Sequence, residues 1–525
     1  MIDPETKSRR YAIYVLVVLV IVYVFNFIDR QILSILAEEI KADIGVTDSE
    51  MGFLYGTAFA IFYAIFGIPL GRLADLWVRR SLIALGLMFW SAMTALSGTA
   101  RSFASLAVFR IGVGIGEASA TPAAFSMLSD YFSPRVRATV LSVYSSGIYI
   151  GAGIGLFIGG VIVDGWRDAF PDPVTAPFGI KPWQAAFMAV GIPGLLMAVW
   201  VRTLREPERG LSEGIETPRH PHPFRETWNE LMAVLPPFAL MVLMRKGDAK
   251  VVLLNIGLLL LISALVWWLI EATHSTAQWL ALGIGVYAAV SWVQNLQLRD
   301  AATFQMIFRC NTILLCCLAF PSIAFVTYGL GFWAAPFVIR MHGAEASQVG
   351  MVLGATAAVG GWIGVTGAGF MADYLRRRHG NGRLYVGLAV PLLAAPFGFV
   401  FVSTDNLIVA YVCNFFFSVF SPMWTGPAAS TVNDLVMPRM RAVASAFYIL
   451  MITFIGLALG PYLIGLVSDS LIGTGVDDAD ALREAMLWAL IMLGVSALFL
   501  MLAMRSLPGD EASRLQRARL AGEPV

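Results

Sequence analysis

Apolar residues in this chain gather into long blocks separated by short polar stretches, unlike the short-range periodicity of a soluble core. The blocks fall near 11–40, 49–70, 81–100, 103–130, 138–163 and 183–204, then 251–270 and 276–296, then 311–339, 348–372, 384–402, 406–434, 442–468 and 485–505. Each approaches the ~20 residues that carry a helix across about 30 Å of hydrocarbon. A backbone inside hydrocarbon has no water to bond, so such runs must be helical. The pattern predicts an all-α polytopic membrane protein of about 14 spans, grouped six, two and six. The expected organisation is an N-terminal six-helix half (1–205), a linker with an interfacial helix (206–250), two inserted helices (251–296), a C-terminal six-helix half (297–506) and a tail (507–525). The linker carries Pro207, Pro218, Pro221 and Pro223, then an apolar piece, 231–244, too short to span comfortably.

Composition fits this reading and excludes a globular enzyme with one anchor. The 525 residues are 58% hydrophobic and 14% charged, with a mean hydropathy of +0.74, where soluble domains carry about 25% charge. Lysine and arginine collect in cytoplasmic loops, so their positions test the span count. With the N-terminus inside, 28 of the 36 fall in inside segments and six outside (Lys41, Arg101, Arg167, Lys181, Arg340, Arg483), while Arg30 and Arg110 lie within spans. That bias predicts an even span number with both termini cytoplasmic, in a cell (inner) membrane. The apolar stretch behind the basic N-terminus is too long for a signal-peptide core and reads as the first retained helix. The positive charge lies in loops between spans, so no nucleic-acid partner is expected.

Two segments recur. Gly71-Arg-Leu-Ala-Asp75-Leu-Trp-Val-Arg79-Arg80 returns as Gly369-Phe-Met-Ala-Asp373-Tyr-Leu-Arg-Arg377-Arg378, offset by 298. Pro134-Arg-Val-Arg137-Ala138 returns as Pro438-Arg-Met-Arg441-Ala442, offset by 304, and Pro122-Ala-Ala returns as Pro427-Ala-Ala. Matching elements at a near-constant offset mark a duplicated bundle, with a substrate site expected near the midplane between repeats. The Gly-x-x-x-Asp-x-x-x-Arg-Arg loops resemble the signature between helices two and three of the major facilitator superfamily, over nearly the whole chain. The resemblance implies the major facilitator fold, with Asp75, Arg79, Arg80, Asp373, Arg377 and Arg137 as gating residues. Arg205-Glu206-Pro207-Glu208-Arg209 resembles the charged motif that closes the sixth helix of that family. Asn26-Phe-Ile-Asp29-Arg30 and Arg110-Ile-Gly-Val-Gly-Ile-Gly116-Glu117-Ala118-Ser119 resemble the spinster family, proposed carriers of lysolipids and sphingolipid-like molecules. Asn-x-x-Asp-Arg also occurs in organic-anion symporters. Leu156 stands where an antiporter motif has proline, whereas Pro461 keeps it.

Four ionisable residues sit well inside predicted spans: Asp29, Arg30, Arg110 and Glu117. A charge at the bilayer centre costs about 2.5–3.5 kcal/mol on insertion scales, so such groups face one another or a wet cavity. Arg110 and Glu117, seven residues apart, share a helix face about 10 Å apart. Depth counting places Asp29 near Arg110, with Glu117 nearer the midplane. Burial favours a neutral carboxyl and an adjacent guanidinium favours the carboxylate, so Glu117 or Asp29 is expected to couple to protons. Arg30 and Arg110, with Asn26 and Glu117, are expected to bind substrate, the guanidinium fork suiting a phosphate. The alternative is a static salt-bridge network joining the first and fourth helices. The C-terminal spans carry no Asp, Glu, Lys or Arg away from their ends but do carry Phe332, Trp333, Phe415, Phe416, Phe417 and Trp424. An amphipathic solute suits that contrast.

The expected function is a proton-coupled secondary transporter of an amphipathic, lysolipid- or sphingolipid-like solute, acting as a monomer among membrane lipids. The rivals are a proton-coupled symporter of small organic anions, a membrane-embedded lipid-modifying enzyme and a non-transporting receptor. No enzyme activity is expected: His220, His222, His274, His342 and His379 lie in loops or at span edges and join no catalytic constellation. No metal or other cofactor is expected, since Cys310, Cys316, Cys317 and Cys413 fall in or near apolar runs as packing residues. Gly112-x-Gly114-x-Gly116 and Gly151-x-Gly153-x-Gly155 lie inside spans with no preceding strand, which points to helix packing rather than nucleotide binding.

Overall fold

The structure is a computed structural model that describes residues 4–172, 175–209, 221–246 and 249–523. The linker positions Pro218 and His220 lie outside the described residues. Fourteen helices among these residues are long and apolar enough to cross a membrane. In chain order they are α1 (Arg9–Ile44), α2 (Asp48–Leu76), α3 (Arg79–Ser97), α4 (Phe103–Tyr131), α5 (Thr139–Ala169), α6 (Pro182–Arg202), α7 (Ala249–Thr273) and α8 (Thr276–Arg299). They continue as α9 (Asn311–His342), α10 (Ala346–Arg378), α11 (Gly382–Ser403), α12 (Leu407–Asp434), α13 (Pro438–Gly473) and α14 (Asp478–Ala512). The apolar piece after the linker forms two short helices, Pro223–Val234 and Phe238–Lys246, bent by 96°. Pro236 and Pro237 sit at that bend, where proline removes the amide that a continuous helix needs.

The residues form two compact units. The first comprises residues through Val46, Phe62–Leu231 and Glu345–Gly354; the second comprises Thr47–Ile61, Met232–Ala344 and the chain from Ala355 onward. Each unit thus includes a short helix end from the other sequence repeat. In the first unit α1 lies along α5 and α3 along α6. The α1–α5 contact is close because α5 offers glycines: a Cβ on Gly151 would stand 2.5 Å from the Val24 carbonyl oxygen. The glycine run read as helix packing does pack against a helix.

In the second unit α9 lies along α14 and α11 along α12, around a core containing the fully buried Phe320, Phe332, Trp333 and Phe337. The Trp333 indole donates to the Pro461 carbonyl at 2.8 Å. The inserted pair α7–α8 forms a hairpin. Its outer helix α7 fully buries only Asn255, and Leu253, Leu254, Leu260, Leu261, Leu265 and Trp267 are exposed, as on a lipid-facing helix. The Asn255 amide donates to Ser291 Oγ at 3.1 Å and Gln294 Oε1 at 2.6 Å, and accepts from the Tyr287 hydroxyl at 2.8 Å. Through Gly285, α8 packs on Ile61 and Phe454. Interhelical polar contacts in membranes contribute about 1–2 kcal/mol in model peptides. Asn255→Ala is expected to destabilise the hairpin by about that amount, read as a lower unfolding midpoint in detergent. An unchanged midpoint would assign the hairpin's cohesion to apolar packing alone.

Candidate functional site

The site is built in the first unit from α1, α2, α3 and α4. Helix α4 is broken: regular turns run Phe103–Glu117 and resume at Ala120–Tyr131. Pro122 lacks the amide that would bond the Ala118 carbonyl, and its ring crowds that oxygen, which opens the turn there. Glu117 therefore ends a helical segment, with its side chain fully buried. Its Oε2 accepts from Arg30 Nη2 at 2.7 Å, the Glu117 side chain being 0% and the Arg30 side chain 12% exposed. The Arg30 guanidinium also lies over the rings of Phe27, 4.6 Å from the centroid, and Tyr63, 5.6 Å away. Asn26 is buried on α1 beside Glu117.

The contact between Asp29 and Arg110 that depth counting placed is present, but through the main chain. Arg110, fully buried, donates from Nη1 to the main-chain carbonyl of Asp29 at 3.1 Å rather than to its carboxylate. Asp29 and Arg30 are consecutive on α1, so their side chains leave the helix about 100° apart and cannot both face one point. Arg30 takes Glu117, and the Asp29 carboxylate points toward Trp90 and Thr94 of α3. Among the described residues its oxygens accept no hydrogen bond. Sequence reasoning missed Tyr63, Trp90 and Thr94. None carries a formal charge, so no cost of burial singled them out among other membrane aromatics and hydroxyls.

The positions expected to gate divide sharply. Arg79 is buried and saturated: its Nε donates to Glu206 Oε1 at 2.8 Å, Nη1 to the Ser126 carbonyl at 3.1 Å and to Asp130, and Nη2 to the Pro207 carbonyl at 2.9 Å. Glu206 also receives the Arg80 amide at 2.9 Å, and the Arg80 side chain reaches the Leu204 carbonyl. Arg137 donates to the Ser129 carbonyl at 3.1 Å. Asp75, Asp373 and Arg377 are exposed, and no ion pair holds them among the described residues. The residue that repeats the Arg79 geometry is Arg383, which contacts Asp434 and donates to the Ser430 carbonyl at 3.4 Å. Arg383, Ser430 and Asp434 each lie 304 positions beyond Arg79, Ser126 and Asp130. The match of Arg79 to Arg377 is therefore corrected by six residues: α10 runs five residues past Asp373 where α2 runs one past Asp75, so the arginine cluster sits in the last turn of α10, ahead of the structural counterpart.

The sequence profile of the Major Facilitator Superfamily matches residues 19–461. The chain is 26% identical over 473 residues to an MFS-type efflux pump of Mycolicibacterium smegmatis, covering 90% of this chain and 87% of the relative. Over 209 residues it is 26% identical to a probable L-galactonate transporter of Escherichia coli, covering 40% of this chain and 43% of the relative. Among solved structures it resembles a bacterial homologue of the human lysosomal transporter Spinster in an inward-facing and unoccupied conformation. That likeness has a TM-score of 0.70 at 25% identity and covers 95% of this chain and 98% of that one.

Proposed function

Because the chain belongs to the Major Facilitator Superfamily, we propose that this transporter is a proton-coupled carrier of an anionic amphiphile of the lysolipid or sphingolipid-phosphate class. It works by alternating access from a cell membrane, with both termini cytoplasmic. The observation that carries this reading is the Arg30–Glu117 pair: a sealed carboxylate against the more open of the two intramembrane arginines. An anionic head group competes with Glu117 for Arg30. When it takes the guanidinium, Glu117 loses its counter-charge in a buried site and is driven to take up a proton, which couples substrate to proton. The ring faces of Phe27 and Tyr63 hold the guanidinium in place as the partner changes. Arg110, pinned to the α1 backbone, orients α1 against α4 rather than meeting substrate.

The spinster-like segments Asn26–Arg30 and Arg110–Ser119 support an amphiphile, and the likeness to the bacterial Spinster homologue supports a transporter. A second reading, symport of a small sugar acid, draws on the partial likeness to the galactonate transporter, since Arg30 would meet a carboxylate equally well. Ligand-dependent unfolding of the purified protein separates them. Lysophosphatidate at about a hundredfold above its dissociation constant is expected to stabilise the protein by about 2.7 kcal/mol, and Arg30→Met to abolish the shift. Stabilisation by galactonate and not by the lysolipid would replace the first reading by the second.

A further inference from the structure

The end of the spans away from the arginine-rich loops carries a device that neither repeat's signature motifs include. Helix α2 starts at Asp48, and its first two amides are received by one carboxylate of α13: Asp48 N donates to Asp469 Oδ1 at 2.9 Å and Ser49 N to Asp469 Oδ2 at 2.8 Å. Helix α10 starts at Ala346, and the Ser347 amide donates to Asp164 Oδ2 of α5 at 2.6 Å. A helix's first amides have no partner within the helix and carry partial positive charge, so a carboxylate there is favourable.

The two contacts repeat each other. Ser49 and Ser347 stand 298 positions apart, and Asp164 and Asp469 stand 305 apart. Glycines one turn further in repeat at the same spacings. A Cβ on Gly465 would lie 2.3 Å from the Asp48 carbonyl oxygen, and one on Gly160 would lie 2.2 Å from that of Ala346. A Cβ on Gly52 would lie 2.4 Å from the Pro461 oxygen, and one on Gly350 would lie 2.3 Å from that of Leu156. Bare backbone meets bare backbone at both contacts, and a carboxylate closes each. Among the described residues one of the two contacts has a further clamp. Arg340 of α9 holds the Asp48 carboxylate through Nη2 at 2.7 Å and Nη1 at 2.9 Å, and the Ser468 hydroxyl donates to it at 2.7 Å. Asp164 instead carries Arg167 at 3.2 Å.

We propose that Asp164 and Asp469 are paired latches that keep the arginine-poor ends of α10 on α5 and of α2 on α13, and that both must release for those ends to part. The inference rests on the reading of the chain as an alternating-access carrier, but its test needs no substrate and no transport. Asp168→Cys and Gln348→Cys place nitroxide labels at exposed positions on α5 and α10. The four native cysteines are buried and stay unlabelled. Hydrogen bonds to a charged group contribute enough for each latch to bias the latched state about ten- to a hundredfold. The wild-type background is expected to show one short label–label distance. Asp164→Ala is expected to lower the ratio of short to long distances about tenfold or more, and Asp164→Ala with Asp469→Ala to lower it further. An unchanged distance distribution in a monodisperse double variant overturns the proposal. If that variant does not fold, Asp164→Asn with Asp469→Asn, which keeps one acceptor oxygen per latch, is expected to give a smaller shift in the same direction. No shift there overturns it equally.

Discussion

Glu117→Gln is expected to leave a folded protein that no longer concentrates substrate against its gradient. Two pH units across the membrane are worth about 2.7 kcal/mol per proton, so a coupled carrier accumulates substrate up to about a hundredfold. The glutamine keeps shape and hydrogen bonding toward Arg30 but holds no titratable proton, and accumulation in vesicles should fall to equilibration. The partner substitution behaves differently. Arg30→Met strands the fully buried Glu117, and breaking a buried ion pair from one side typically costs about 3–5 kcal/mol. The double variant Arg30→Met with Glu117→Gln is expected to recover most of that stability without recovering transport. If Glu117→Gln lowers stability and leaves accumulation intact, the pair is a static brace between α1 and α4.

The second large effect separates the two readings of the repeat. Arg79→Ala removes the guanidinium that lies between Asp130 and Glu206, leaving two carboxylates facing each other. A loss of about 3–5 kcal/mol is expected, with little rescue by Arg79→Lys, because a single ammonium cannot reproduce a planar fork that serves two carboxylates and two carbonyls. In the second repeat, Arg383→Ala is expected to destabilise measurably through Asp434. Arg377→Ala, at an exposed side chain, should stay within about 0.5 kcal/mol of the wild type. Chemical denaturation of the four variants in detergent decides it. A larger effect at Arg377 than at Arg383 would restore the sequence-based register.

The span pattern was legible because membrane insertion acts on whole segments: an apolar run long enough to cross has one conformation that satisfies its backbone. The inserted pair was readable for the same reason. The register of the second repeat was not, since Arg376, Arg377 and Arg378 match the first loop by identity while the geometry follows Asp434 and Ser430 to Arg383. Asp29, Arg30, Arg110 and Glu117 stood out because charge is rare inside a span, and they do cluster. Their pairing depended on side-chain direction around α1, which depth counting ignores. Asp164 and Asp469 fell at span ends, where a carboxylate is ordinary, and only the facing helix starts give them a partner.

In the proposed mechanism an anionic amphiphile and a proton share the Arg30–Glu117 pair. Its most direct test is uptake of a labelled lysophospholipid into proteoliposomes with an imposed proton gradient, for the wild type and Glu117→Gln side by side. Saturable, gradient-stimulated uptake by the wild type that falls to passive equilibration in Glu117→Gln is the predicted result. Absence of lysolipid movement by the wild type, in vesicles shown to hold folded protein, would contradict it.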